Sequence, residues 1–363
     1  MNNIITAECD IWEYLSHCGK KIVMYGMGNG ADKILAICEK KGIEISDFFA
    51  SDGFVRGHSF HGKAVMTYGE IKEKYSNFVV LLSFATSLPD VLHKIDAIAS
   101  ETELLVPDVP VFGNTLFDME FCQDHIGEIE ATYNLFSDKR SREIYKAVIN
   151  AKLTGKTEFL NASVCGKDEV YSDILSPEKY VSYADLGAYN GDTVRELAAY
   201  AQNLKKVYAL EPDKRTFRKL TDYASNESRF EIECHNCAAW RRSETLYFDC
   251  SGNRNSNVSG NVETLSGKKP VEVTARSLDE ILSGKSVDYI KYDVEGSEEE
   301  ALHGSAKTIS LYNPDLLISL YHRSEDIFTL PHLVKKLGNY KLSLRRFRYY
   351  PAWDLNLYAT KNQ

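Results

Sequence analysis

The chain has 363 residues, 44% hydrophobic and 26% charged, which suits a soluble protein of two domains. Lys plus Arg number 43 against 52 Asp plus Glu, a net charge of −9, and this argues against a dedicated nucleic-acid binder, which needs a basic footprint. No stretch approaches the roughly 20 apolar residues that cross a bilayer, and MNNIITAECD has neither a basic n-region nor an apolar h-region, so a cytoplasmic location is expected.

Residues 1–115 read as a small Rossmann-like α/β unit. Lys21 to Tyr25 is a short buried strand running into Gly26-Met27-Gly28-Asn29-Gly30-Ala31, which fits G-x-G-x-x-A. Asp32 to Lys41 has helical spacing, Ile43 to Ala50 is a second strand ending near Asp52, and Val79 to Ser83 is a third. Leu104 to Val106 and Val109 to Phe112 offer a fourth. Two readings of the glycine turn stay open. It binds a nucleotide, or its glycines serve close packing in a unit used for assembly, including assembly of copies of this chain. The unit resembles the small Rossmann-like unit that precedes many sugar-modifying transferases.

Residues 116–180 read as a helical connector. Ser137 is expected to cap a helix whose apolar stripe is Ile144, Tyr145, Val148 and Ile149, and which stops at Gly155. Pro177 marks the boundary of the second unit, residues 181–363.

That unit repeats the α/β rhythm. Tyr180 to Leu186 is a buried strand, followed by a glycine turn and a helix from Thr193 to Tyr200. Further strands are Lys206 to Leu210, Phe230 to Cys234, Val287 to Val294 and Leu316 to Tyr321. Thr245 to Asp249 and Val271 to Ala275 alternate like exposed antiparallel strands. Between them, Ser251 to Gly267 is a loop in which Arg254 and Asn255 are possible acceptor contacts. Glu325 to Leu337 is helical, and Tyr340 to Arg348 with Asp354 to Thr360 reads as a closing hairpin. The eight cysteines are scattered, as reduced thiols would be, and Cys234 with Cys237 makes one isolated CxxC. The basic cluster Arg345, Arg346 and Arg348 reads as a solvated strand or edge.

The two glycine turns differ in chemistry. A pyrophosphate wants backbone N–H groups at a helix N-terminus and no carboxylate beside it. The turn at Gly26 meets that demand. The second, Asp185-Leu186-Gly187-Ala188-Tyr189-Asn190-Gly191-Asp192, puts an acid at the strand end. Phosphate would be repelled there, whereas a ligand with an ammonium and a sulfonium would be attracted, and S-adenosylmethionine is such a ligand. Glu211 ends the next strand, 20 residues past Gly191, where a carboxylate accepts both ribose hydroxyls. Pro212 and Asp213 follow it. The turn of Asn236, Cys237 and Ala238 would border the adenine.

Period-two alternation puts Lys291 and Asp293 on one side of their strand. In open α/β sheets ligands sit beyond the carboxyl ends of the strands, so Asp185, Glu211, Asn236 and Asp293 converge on one crevice. His322, at the end of its strand, is the first candidate base for deprotonating an acceptor hydroxyl, with Lys291, Asp293 and Glu295 as alternatives. Asp293, Glu295 and His322 also suit a divalent cation such as Mg²⁺. A hydrogen-bonded histidine is the commoner arrangement, and no metal ligands are assigned.

The segments DLGAYNGDTV, LEPD, CAAW, SLDEIL, IKYDVEGSEEEALHGS and PDLLISLYHR occur in the order seen in FkbM-family methyltransferases, which the chain resembles over about residues 130 to 360. The resemblance implies a class I methyltransferase fold, mostly parallel with a closing antiparallel hairpin. It also implies methyl transfer from S-adenosylmethionine, commonly to oxygen. Asp185, Gly187 and Gly191 would then face the methionine end and Glu211 the ribose, with a sugar, glycan or related small molecule as acceptor. Two other readings are a nucleotide-sugar or NAD enzyme using Gly26 to Ala31, and a non-catalytic scaffold.

Overall fold

A computed structural model describes residues 4–55, 57–248, 258–259 and 271–361. Arg254 and Asn255 lie outside the described residues. No described helix is long and apolar enough to cross a membrane.

The first unit is a sheet of six strands: β1 (Lys21–Tyr25), β2 (Asp47–Phe49), β3 (Ser59–Phe60), β4 (Lys63–Met66), β5 (Phe78–Leu82) and β6 (Glu103–Leu105). Their order is β3-β4-β2-β1-β5-β6, parallel except for the β3–β4 pairing. The continuous apolar runs of β1 and β5 are buried, as parallel strands covered on both faces require. Val109 to Phe112 is not a strand; the segment instead crosses to the second unit.

Next come β7 (Ser182–Leu186), β8 (Lys206–Leu210), β9 (Glu231–His235), β10 (Ala238–Ala239), β11 (Glu244–Phe248), β12 (Val258–Ser259), β13 (Val271–Arg276), β14 (Tyr289–Tyr292), β15 (Asp315–Ser319), β16 (Tyr340–Arg346) and β17 (Leu355–Lys361). Seven of them form one sheet in the order β16-β17-β15-β14-β7-β8-β9, in which β17 alone runs antiparallel to its neighbours. This is the class I methyltransferase arrangement that the resemblance implies, closing hairpin included. β11 and β13 pair antiparallel in a small side sheet.

Helices Met119–Asp124 to Lys167–Asp173 lie in the chain between the sheets, and one apolar core runs across them. It joins Val80 and Leu82 to Tyr145, Val148 and Ile149 and on to Ile318, Leu342 and Leu357. The helix Lys139–Thr154 is capped by Asp138, whose side chain accepts the Ser141 N–H, and not by Ser137, which bonds the Leu342 carbonyl instead. The helix ends where Gly155 turns left-handed at φ 66°.

The basic cluster is not a solvated edge. Arg346 is 0% exposed, and its guanidinium donates to the carbonyls of Leu160, Tyr349 and Pro351 and to Ser163 Oγ. Arg345 is buried against Ser141 and pairs with Glu169. Arg348 alone reaches outward, to Asp96.

Candidate active site

The seven-stranded sheet reverses its order between β7 and β14, and the turns after these two strands meet. Gly187, at φ 85°, lets them do so: a Cβ there would stand 1.9 Å from the Asp293 carbonyl oxygen. Gly191, at φ 82°, opens the helix Asp192–Tyr200, and a Cβ would strike the Tyr223 ring at 2.4 Å. Between them Ala188 is buried, Tyr189 is exposed and takes φ 47°, and Asn190 receives Arg195. Asp192 is exposed and accepts its neighbour's N–H. A left-handed non-glycine residue is strained, and such residues gather at sites. Glu295 is another, at φ 53°.

Asp185 does not face the crevice as expected. It is 0% exposed; one carboxylate oxygen accepts the Thr193 hydroxyl at 2.5 Å and the other the Lys291 ammonium at 3.2 Å. The strand register explains this, since Lys291 pairs with Asp185 across β14 and β7. Burial disfavours the Lys291 charge, but Asp185 and Asp293 outweigh it and hold the ammonium protonated. The pair is internally neutral, so Asp185 does not discriminate against phosphate by charge. It fixes Lys291, which also donates to the Gly187 carbonyl at 3.2 Å and lies 3.6 Å from Asp293.

Glu211 is buried at the end of β8. Its carboxylate accepts the Tyr189 N–H at 3.0 Å and the Asp213 N–H at 2.8 Å, which ties the first two turns together. Burial pushes its pKa up to about 7 against these two N–H groups. Asn236 is exposed and donates to the Glu211 and Pro212 carbonyls, linking the third turn to the second. Cys237 and Ala238 are buried beneath it, and Asp213 caps the helix Lys214–Asn226.

On the other side of β7, Asp293, Glu295 and His322 come together. His322 is 0% exposed, whereas the side chains of Asp293 and Glu295 are 32% and 40% exposed. The imidazole Nε2 lies 3.7 Å from Asp293 and 3.5 Å from Glu295, and Nδ1 lies 2.8 Å from Glu298. Burial alone would lower the His322 pKa, but Glu298, Glu295 and Asp293 push it up to about 10. His322 is thus enclosed, whereas the carboxylates of Asp293 and Glu295 beside it are partly open to solvent. Burial raises Glu295 to about 7.

Glu298 went unnoticed in the sequence, where it is the first of three consecutive glutamates. Tyr321 did too: its hydroxyl donates to Asp293 Oδ1 at 3.0 Å, and its ring begins a row with Trp353 and Tyr349, centroids 6.1 and 5.7 Å apart. Phe112, from the segment between the sheets, donates its N–H to the His322 carbonyl at 2.9 Å. Its ring packs on Gly296 and under the Arg323 guanidinium.

In the glycine turn of the first unit, two of the three glycines are required by packing, whereas a Cβ on Gly28 would meet nothing within 4 Å. A Cβ on Gly30 would stand 2.2 Å from the Ser83 carbonyl oxygen, and one on Gly26 would stand 2.6 Å from Ser83 Oγ.

Residues 185–349 match the family model described as the Methyltransferase FkbM domain. The structure is similar over its whole length to a methyltransferase FkbM from Methylobacillus flagellatus KT, with a TM-score of 0.72 at 19% identity, covering 99% of this chain and 95% of that one. Fibrillarin from Aeropyrum pernix, solved with natively bound S-adenosyl-L-methionine, has a TM-score of 0.34 at 10% identity, covering 52% of this chain and 70% of its own. Precorrin-6y C5,15-methyltransferase from Geobacter metallireducens GS-15 has a TM-score of 0.34 at 12% identity, covering 55% and 91%. No curated protein sequence matches the chain.

Proposed function

We propose that this chain, an S-adenosylmethionine-dependent methyltransferase with an FkbM domain, methylates a hydroxyl oxygen of a sugar, glycan or related small molecule. The chemistry resides in residues 181–363. The observation that carries the acceptor class is the row Tyr349, Trp353 and Tyr321, which ends at the Asp293 carboxylate. Aromatic faces take the C–H side of a sugar ring, and carboxylates accept its hydroxyls.

S-adenosylmethionine, when bound, supplies a methyl group made electrophilic by its sulfonium. Glu211 keeps lone pairs free of its two N–H bonds, and these receive ribose hydroxyls. Lys291, locked by Asp185, sets the relative position of the β7 and β14 turns. Glu295 would take the proton of the acceptor hydroxyl, and its partial exposure would let it pass that proton to solvent. Asp293, held by Tyr321, would accept and orient the acceptor hydroxyl.

The test has two stages. Thermal melting with S-adenosylmethionine, S-adenosylhomocysteine, NAD and UDP-sugars comes first; a ligand at a hundred times its Kd stabilises by about 2.7 kcal/mol. Mass spectrometry then follows label from S-adenosyl-[methyl-²H₃]methionine into a panel of sugars, nucleotide sugars and oligosaccharides. A deuterated methyl ether is expected. Transfer only to nitrogen or carbon acceptors would refute the oxygen assignment, and stabilisation by NAD alone would refute the donor.

A further inference from the structure

The interior of the site contains donors that the methyl-transfer chemistry above leaves unused. His322 is 0% exposed and Glu298 is 1% exposed, yet neither ring nitrogen of the histidine nor Oε2 of Glu298 has a partner in hydrogen-bond geometry. The 2.8 Å contact between Nδ1 and Glu298 is close, but it is not aligned along the N–H direction. Each orphaned buried polar atom costs roughly 1–3 kcal/mol, so three in one place call for a ligand.

The ligand's charge follows from the surroundings. Asp293, Glu295, Glu298 and Asp326 all act on this imidazole or on each other. Against these four carboxylates stand Lys291, already engaged by Asp185, and the imidazole itself. Carboxyl groups thus outnumber cationic groups around the ring, a setting for a cation and not for an anion. The guanidinium of Arg323 is turned away, over the Phe112 ring and to the Gly296 carbonyl.

We propose that Asp293, Glu298 and His322 form a site for one divalent transition cation of the Mn²⁺ class. One ligand atom from each of the three lies within 4.8 Å of the other two. One imidazole nitrogen with two carboxylates is a mixed donor set. It is softer than the all-oxygen cages of Mg²⁺ and Ca²⁺ and harder than thiolate sites. Outer partners are in place: the Tyr321 hydroxyl donates to Asp293 at 3.0 Å and the Val294 N–H to Glu298 Oε1 at 2.9 Å. The partly exposed Asp293 gives the cation a way in and leaves a coordination position for the acceptor oxygen, beside Glu295. The cation's use rests on the methyltransferase reading; its presence does not.

The experiment uses the full chain, stripped with EDTA and dialysed, without S-adenosylmethionine. Mn²⁺ is titrated by calorimetry and followed by its EPR signal, and S-adenosylmethionine binding is measured separately in EDTA. One Mn²⁺ per chain is expected. Affinity should fall about 100-fold or more in Asp293→Asn and in His322→Gln. Glu298→Gln, which keeps the side-chain shape, should weaken Mn²⁺ binding while circular dichroism and S-adenosylmethionine binding persist. A folded, S-adenosylmethionine-binding protein that takes no Mn²⁺ at millimolar concentration would overturn the proposal, since the imidazole would then be an imidazolium clamp. Stoichiometric binding unaffected by all three substitutions would overturn it as well. Mn²⁺ binding without S-adenosylmethionine binding would instead count against the proposed function.

Discussion

Lys291 and Asp185 face each other across the β14–β7 register, with the ammonium 3.2 Å from the carboxylate and both side chains buried. Lys291→Met leaves Asp185 without its cation, and Asp185→Asn leaves Lys291 with Asp293 alone, 3.6 Å away. Lys291→Met and Asp185→Asn should each destabilise by about 3–5 kcal/mol. The double variant should lose clearly less than the sum. Urea denaturation of the four proteins in a double-mutant cycle checks this, and additivity would show that the pair is not coupled.

Glu211 predicts opposite pH trends for stability and binding. Burial raises its folded pKa to about 7, above the unfolded value near 4.5. Between those values the folded state holds the extra proton. This group's contribution to stability is therefore full below about 4.5 and is lost as pH rises toward 7. In the ribose-binding role proposed above the ionised form is the stronger acceptor, so S-adenosylmethionine affinity should rise over the same interval. Glu211→Gln should flatten both trends, as read from melts and calorimetry between pH 5 and 8.

Two glycines should respond very differently to a methyl group. Gly187→Ala puts a Cβ 1.9 Å from the Asp293 carbonyl oxygen at φ 85°, so the β14 turn must move. S-adenosylmethionine binding should be lost, with several kcal/mol of stability. Gly28→Ala meets nothing within 4 Å and should change stability by less than about 1 kcal/mol. Equal effects would contradict the close-approach argument.

Arg346 and Arg348 make a second contrast. Arg346→Met leaves the carbonyls of Leu160, Tyr349 and Pro351 without their donor, at an expected cost of roughly 3 kcal/mol. Arg348→Met removes a half-exposed pair with Asp96, at about 0–1 kcal/mol. Chemical denaturation of each variant measures both values.

Local pattern predicted much of this architecture. Apolar runs and glycine turns marked the strands of the second sheet and β1, β2, β5 and β6 of the first, but not the short β3 and β4, and Glu211 stands at the end of its strand. What pattern could not carry was pairing. Nothing in the sequence says that Lys291 comes into register with Asp185, which turns an expected charge on the crevice into a neutral internal pair. Glu298, Glu299 and Glu300 look alike as letters, and only the Val294 N–H and His322 single out the first. Three arginines near one another looked solvated because the carbonyls that receive Arg346 come from residues up to 186 positions away.

Lys33, on the helix that follows the first glycine turn, donates to the carbonyls of Pro110 and Val111 at 2.8 and 3.1 Å. The next residue, Phe112, holds the His322 carbonyl and backs the turn that bears Glu295. The two units are thus mechanically in series. A chain cut before the helical segment would be a methyltransferase domain with its rear wall missing. Exchanging the first unit for that of a relative would succeed only if the exchanged piece carried its own equivalent of Phe112 to the same place.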